Sequence, residues 1–245
     1  MTAQVLRELV LVRASTDELL TGLAAEHWSD ADIRQASLLP DWTRGHVLTH
    51  IARNADGITR TVSAALRGEQ VDRYPRGPEG RAADIEAGAH RSAGELLADV
   101  RDSAYRLDQA FTEAQGADGW ELPTGNGHLR ARVASWLPRR WREVEIHRVD
   151  LAGTYSARQW PAEFVDYLLP EVAATLPKRI REPVRVAVAA DGSVGASMIG
   201  RSWTAGTGDA VPVRGPDWAV LAWLLGRPAA AMNALSAIPE LTPWL

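Results

Sequence analysis

A chain of 245 residues with 46% hydrophobic and 24% charged side chains is long enough for one large domain or two modest ones, and its composition is that of a globular protein in water. Its net charge of −4, carried with scattered arginines, lacks the basic stripe of a nucleic-acid binder, and no run of about 18 apolar residues offers a membrane span. Cysteine is absent, which removes disulfides, thiolate–metal sites and a cysteine nucleophile, so any thiol chemistry must use a thiol supplied from outside.

Met1 leads into an amphipathic pattern rather than a signal peptide, so the cytoplasm is the expected compartment. Leu6, Leu9, Val10, Arg13, Leu19, Leu20 and Leu23 predict a first helix, or a broken pair, to about Ala25. Leu39-Pro40-Asp41-Trp42-Thr43 offers a stop, a turn and an N-cap before a second helix marked by Val47, Ile51, Ile58 and Val62. Two prolines and two glycines between Val71 and Gly80 read as a connection. A third helix follows through Leu97, Val100, Ala104, Leu107 and Phe111. A fourth runs from about Arg132 to Leu151 with Val133, Leu137, Val144 and Leu151 as its stripe, and Pro138 starts or kinks it.

Beyond Gly153 to Pro161 the pattern changes. Phe164 to Leu176 fits one more helix, Val184 to Val188 alternates like a strand ending in the turn signal Asp191-Gly192, and Met198 to Thr204 and Ala210 to Val213 fit further strands. Pro216-Asp217-Trp218 opens a short apolar helix that Gly226 and Pro228 stop. The expected architecture is therefore α+β with two domains: a four-helix bundle over residues 1–155 and a small α+β domain over 156–245.

On the fourth helix, His147 falls about 40° from the centre of the apolar stripe and Glu143 about 40° further round on the same side, while Glu145 points away. A histidine and a glutamate one turn apart can present a ring nitrogen and a carboxylate oxygen to one point between helices, although a surface ion pair fits the same spacing. On the second helix His50 flanks the stripe, His46 lies nearer solvent, and Asn54 stands within the stripe, an odd place for an amide without a polar neighbour. Two histidines and a glutamate with an open fourth position match a catalytic rather than a structural zinc site.

The segments DWTRGHVLTHIARNADG and WREVEIHRVDL, with a late apolar helix ending in LLGR, resemble the mycothiol-dependent maleylpyruvate isomerase family. Its N-terminal domain belongs to the DinB-like metal-binding bundles, and the likeness runs from about Leu6 to the terminal Pro-Trp-Leu. The resemblance implies that His50, Glu143 and His147 hold zinc or another divalent metal, that mycothiol is the thiol cofactor, and that Arg227 of LLGR is the arginine needed for activity. Arg214 is a rival match and Arg81, in the long loop between the second and third helices, a further candidate for the substrate carboxylate.

The implied reaction is the cis-trans isomerisation of maleylpyruvate to fumarylpyruvate, as in gentisate degradation, by transient thiolate addition that makes the double bond a rotatable single one. A chain without cysteine suits a borrowed sulfur, and a metal would lower the thiol pKa. The implied partners are mycothiol and a small-molecule substrate acting on a monomer, with no nucleic acid and no membrane. A mycothiol S-transferase acting on another electrophile uses the same half-site, and a regulatory bundle without chemistry is a third reading. Asp150, one turn after His147, is a candidate to fix its tautomer or a surface partner of Arg148 or Arg53, and Trp42 and Trp141 are candidate pocket walls.

Overall fold

The structure is a computed structural model that describes residues 2–125, 131–180, 185–191, 201–227, 233–234 and 240–244. Helices dominate it, with one sheet of two strands and one of four, an α+β composition. Its contacts fall into two compact units, Met1–Tyr155 and Ser156–Leu245.

The first unit contains α1 (Ala3–Glu26), α2 (Asp30–Ile33), α3 (Arg44–Leu66), α4 (Gly77–Ala89), α5 (Ala93–Gly116), the short pair β1 (Pro123–Thr124) and β2 (Ala131–Arg132), and α6 (Trp136–Asp150). The helix starts follow from capping chemistry. The Thr43 hydroxyl accepts from the His46 amide while the Thr43 amide donates to His46 Nδ1, and Ser92 is boxed in the same way by Glu95. α1 packs on α5 and α6, and α3 on α4, α5 and α6. Leu19 and Leu23 of α1, Val47, Leu48 and Ile51 of α3, Leu96 and Val100 of α5 and Val144 of α6 form one buried core with Leu151. Each such burial contributes about 1.5–3 kcal/mol.

Two helices were not expected from the sequence. α2 is a single turn capped by Ser29 and Asp32. α4 begins inside the segment read as a connection, because Pro78 sits in its first turn, where a missing amide hydrogen costs nothing. Its buried residues are only Gly80, Ile85 and Ala89, too few to make an apolar period. Arg81 therefore lies on a helix rather than in a loop. Pro138 falls in the first turn of α6, two residues after its start at Trp136, where a missing amide hydrogen costs nothing.

The second unit contains α7 (Ala162–Ala173), β3 (Arg185–Asp191), β4 (Arg201–Ala205), β5 (Ala210–Pro216), α8 (Asp217–Leu224) and β6 (Asn233–Ala234), with sheet order β4-β3-β5-β6. Val186, Val188 and Ala190 alternate inward along β3. β4 pairs antiparallel with β3 from Val186↔Ala205 to Ala190↔Arg201; the expected turn at Gly192, like Val184, Met198 and Pro228, lies outside the described residues. β5 pairs parallel with β3 on its other side, from Arg185↔Ala210 onward. The crossing from β4 to β5 takes only residues 206–209, and Gly206 and Gly208 stand at φ 88° and 95°, a region other residues avoid.

Candidate metal centre

His50 projects from α3, and Glu143 and His147, four residues apart, project from the facing side of α6. Their Nε2, Oε2 and Nε2 atoms converge: His50 lies 2.9 Å from Glu143 and 3.0 Å from His147, and His147 lies 3.3 Å from Glu143. Three donors held about 2.0–2.1 Å from one tetrahedral ion stand about 3.3 Å apart. Two imidazole nitrogens and a carboxylate oxygen at this spacing fit a divalent cation and leave a fourth position for an outside ligand.

The cluster is largely shielded from water, with His50 only 4% exposed. Burial and the neighbouring His147 push the His50 pKa down to about 4, which keeps its ring neutral. Burial alone would raise Glu143, but hydrogen bonds from His147 and His50 outweigh it and hold the carboxylate well below its ordinary range. Burial likewise opposes charge on His147, yet its bonds to Asp150 and Glu143 prevail and raise its pKa. The site therefore consists of a fixed anion between two imidazoles.

Asp150 is fully buried and its Oδ2 lies 2.8 Å from His147 Nδ1. That bond keeps the proton on Nδ1 and turns the Nε2 lone pair to the cluster. Trp42 meets the His50 ring edge-on at 5.7 Å between centroids and so walls the cluster. Trp141 does not share that role: it is buried, and its indole nitrogen donates to Ser15 of α1 at 2.8 Å. His46 is buried rather than solvent-facing because Glu86 of α4 reaches its Nε2 at 3.1 Å while Thr43 occupies Nδ1.

Glu145 is the clearest departure from the helical-wheel reading. It is fully buried, accepting from Ser15 at 2.5 Å and Tyr155 at 2.7 Å, and burial outweighs these bonds to raise its pKa. α6 has a second buried face, toward α1. Asn54 finds its polar neighbour in Arg140, whose Nη1 donates to Asn54 Oδ1 at 3.0 Å and to the Ile51 carbonyl at 2.9 Å. Arg140 is 1% exposed, and burial, with the charge of Arg73 adding to it, lowers its pKa to about 10 against the pull of Glu143.

The structure thus brings His50, Glu143 and His147 together. Arg81 joins them: its Nη2 lies 2.8 Å from His50 Nδ1. Arg227 belongs to the second unit, directly after Gly226 at φ 75°, and its Nη1 donates to the Leu225 carbonyl at 2.5 Å. Arg214 is a 69% exposed side chain on β5, 4.0 Å from Asp191.

The family model described as the mycothiol maleylpyruvate isomerase N-terminal domain matches residues 12–152, which include all three cluster residues. Two crystal structures of the mycothiol-dependent maleylpyruvate isomerase, one of a histidine-to-alanine mutant, are similar to the chain at 25% identity and a TM-score of 0.81, covering 98% of this chain and 97% of theirs. No curated protein sequence matches it significantly.

Proposed function

We propose, from the premise that the chain belongs to the mycothiol maleylpyruvate isomerase N-terminal domain family, that it is a mycothiol-dependent maleylpyruvate isomerase whose metal is held by His50, Glu143 and His147. The observation that carries this reading is the convergence of three ligand atoms from α3 and α6 at mutual distances of 2.9–3.3 Å. The likeness to the two isomerase structures over nearly the full length supports it.

In this reading residues 1–155 are a DinB-like four-helix bundle and residues 156–245 a separate α+β domain. When bound, a divalent ion, zinc by its donor set, lowers the pKa of the mycothiol thiol, whose transient addition lets the maleylpyruvate double bond rotate before elimination. The chain's own part is to hold that chemistry in place. Asp150 keeps His147 in the ligating tautomer, and Trp42 screens His50 from water. Arg227 binds a substrate carboxylate and steadies charge that develops on the conjugated carbonyl, a task suited to a bidentate guanidinium that does not lose its proton. The enzyme works as a monomer in the cytoplasm, and among the described residues no helix is long and apolar enough to cross a membrane.

The test is an assay of purified protein with mycothiol against maleylpyruvate and against a haloarene. Fumarylpyruvate formation without net thiol consumption is expected; reaction of the haloarene alone would establish the S-transferase instead. Asp150→Asn is expected to weaken metal affinity about 10- to 100-fold, the usual cost of losing a ligand's supporting carboxylate. Titration with a competing chelator reads this directly, and an unchanged affinity would leave Asp150 a packing residue.

A further inference from the structure

The rim of the cluster carries more positive charge than the ligands account for. Arg73, in the segment between α3 and α4, and Arg81 on α4 both stack against Tyr74, with guanidinium carbons 4.9 and 5.5 Å from its ring centroid. Both arginines are half-buried, and among the described residues neither forms an ion pair with a carboxylate. Arg73 Nε is buried without a hydrogen-bond partner. By contrast Arg53, also on this side of α3, is paired with Asp56 and Asp99. Half-buried cations left without anions carry an uncompensated desolvation cost, which an anionic ligand relieves.

The arrangement is built into the fold. Gly57 stands seven residues after His50 on α3, and a Cβ there would come within 2.8 Å of the Arg73 side chain and 3.2 Å of the Tyr74 ring. Glycine thus lets the segment lie directly on the helix that carries His50. Arg140, fully buried behind it, also has Nε and Nη2 without partners. Arg81 already touches His50 Nδ1, and its remaining donors face no carboxylate among the described residues.

We propose that Arg73, Tyr74 and Arg81 form a dicarboxylate-recognition site at the edge of the His50–Glu143–His147 cluster. Two separate guanidiniums held on one ring select a short dianion: each arginine takes a carboxylate while the Tyr74 ring between them fixes their spacing. The inference rests on the isomerase reading and deepens it by moving carboxylate recognition to the first unit, so that Arg227 keeps only the charge developing on the conjugated carbonyl.

Calorimetric titration of metal-free protein with maleate, the simplest cis dicarboxylate, tests it without turnover. Wild type should bind maleate at least about tenfold more tightly than its monomethyl ester. Arg81→Gln and Arg73→Gln should each lose about tenfold or more, whereas Arg101→Gln, 66% exposed and paired with Asp102, should not. Equal affinity for maleate and its ester in wild type overturns the proposal even where a variant fails to fold, as does wild-type affinity in both folded glutamine variants. Zinc binding with no arginine-dependent maleate binding sinks this site alone; maleate binding of the expected pattern in a protein that takes up no metal sinks the isomerase reading and leaves the anion site standing.

Discussion

His50→Ala should leave the protein folded and nearly empty of metal, with isomerase turnover reduced by more than about 100-fold, beyond the usual cost of losing a ligand's supporting partner. His50 supplies the only ligand atom from α3, so its loss leaves two donors on one helix, Glu143 and His147, with no opposing group to close the site. The substitution removes a buried ring from beside Trp42 without exposing a charge, which keeps the fold intact. His46→Ala is the matched control. Its ring nitrogens are already engaged by Thr43 and Glu86, so elemental analysis should find wild-type metal content in that variant. Equal metal in wild type and His50→Ala would remove His50 from the ligand set.

The second large effect separates chemistry from metal binding. Arg227→Lys should keep the metal and the fold yet lose about 2–4 kcal/mol of transition-state stabilisation, roughly 30- to 1000-fold in kcat/KM, because an ammonium does not reproduce the bidentate fork. Arg214→Lys should change little, since that side chain is 69% exposed and only 4.0 Å from Asp191. Steady-state kinetics at saturating mycothiol decide between them. Wild-type turnover in Arg227→Lys with an inactive Arg214→Lys would transfer the role to Arg214.

Sequence periodicity carried the long helices because their cores are apolar and repeat with the helical turn: Val47, Ile51, Ile58 and Val62 of α3 are all buried. The same logic located His50, Glu143 and His147, which sit at the edges of apolar stripes and reach a common point. It failed where burial is polar or comes from a second neighbour. Glu145 lies away from the face that α6 turns to α3, yet α1 buries that other face through Ser15, so a single stripe direction describes α6 incompletely. Arg140 and Asp150 are buried through hydrogen bonds to Asn54 and His147, and hydrophobic pattern holds no record of such pairs. α4 escaped notice because it docks through glycine, alanine and one isoleucine, and with it went the position of Arg81 and the cover over His46. The parallel pairing of β3 with β5 is set by strands on either side of β4 in the chain, a long-range choice with no local signal.

In the proposed site His50, Glu143 and His147 hold a metal ion whose remaining position accepts the sulfur of mycothiol. X-ray absorption at the metal edge of the purified protein, recorded with and without mycothiol, tests it most directly. Two imidazole nitrogens and a carboxylate oxygen are expected at about 2.0–2.2 Å in both states, with a new sulfur scatterer at about 2.3 Å when mycothiol is present. A first shell without imidazole, or one that gains no sulfur at saturating mycothiol, would contradict it.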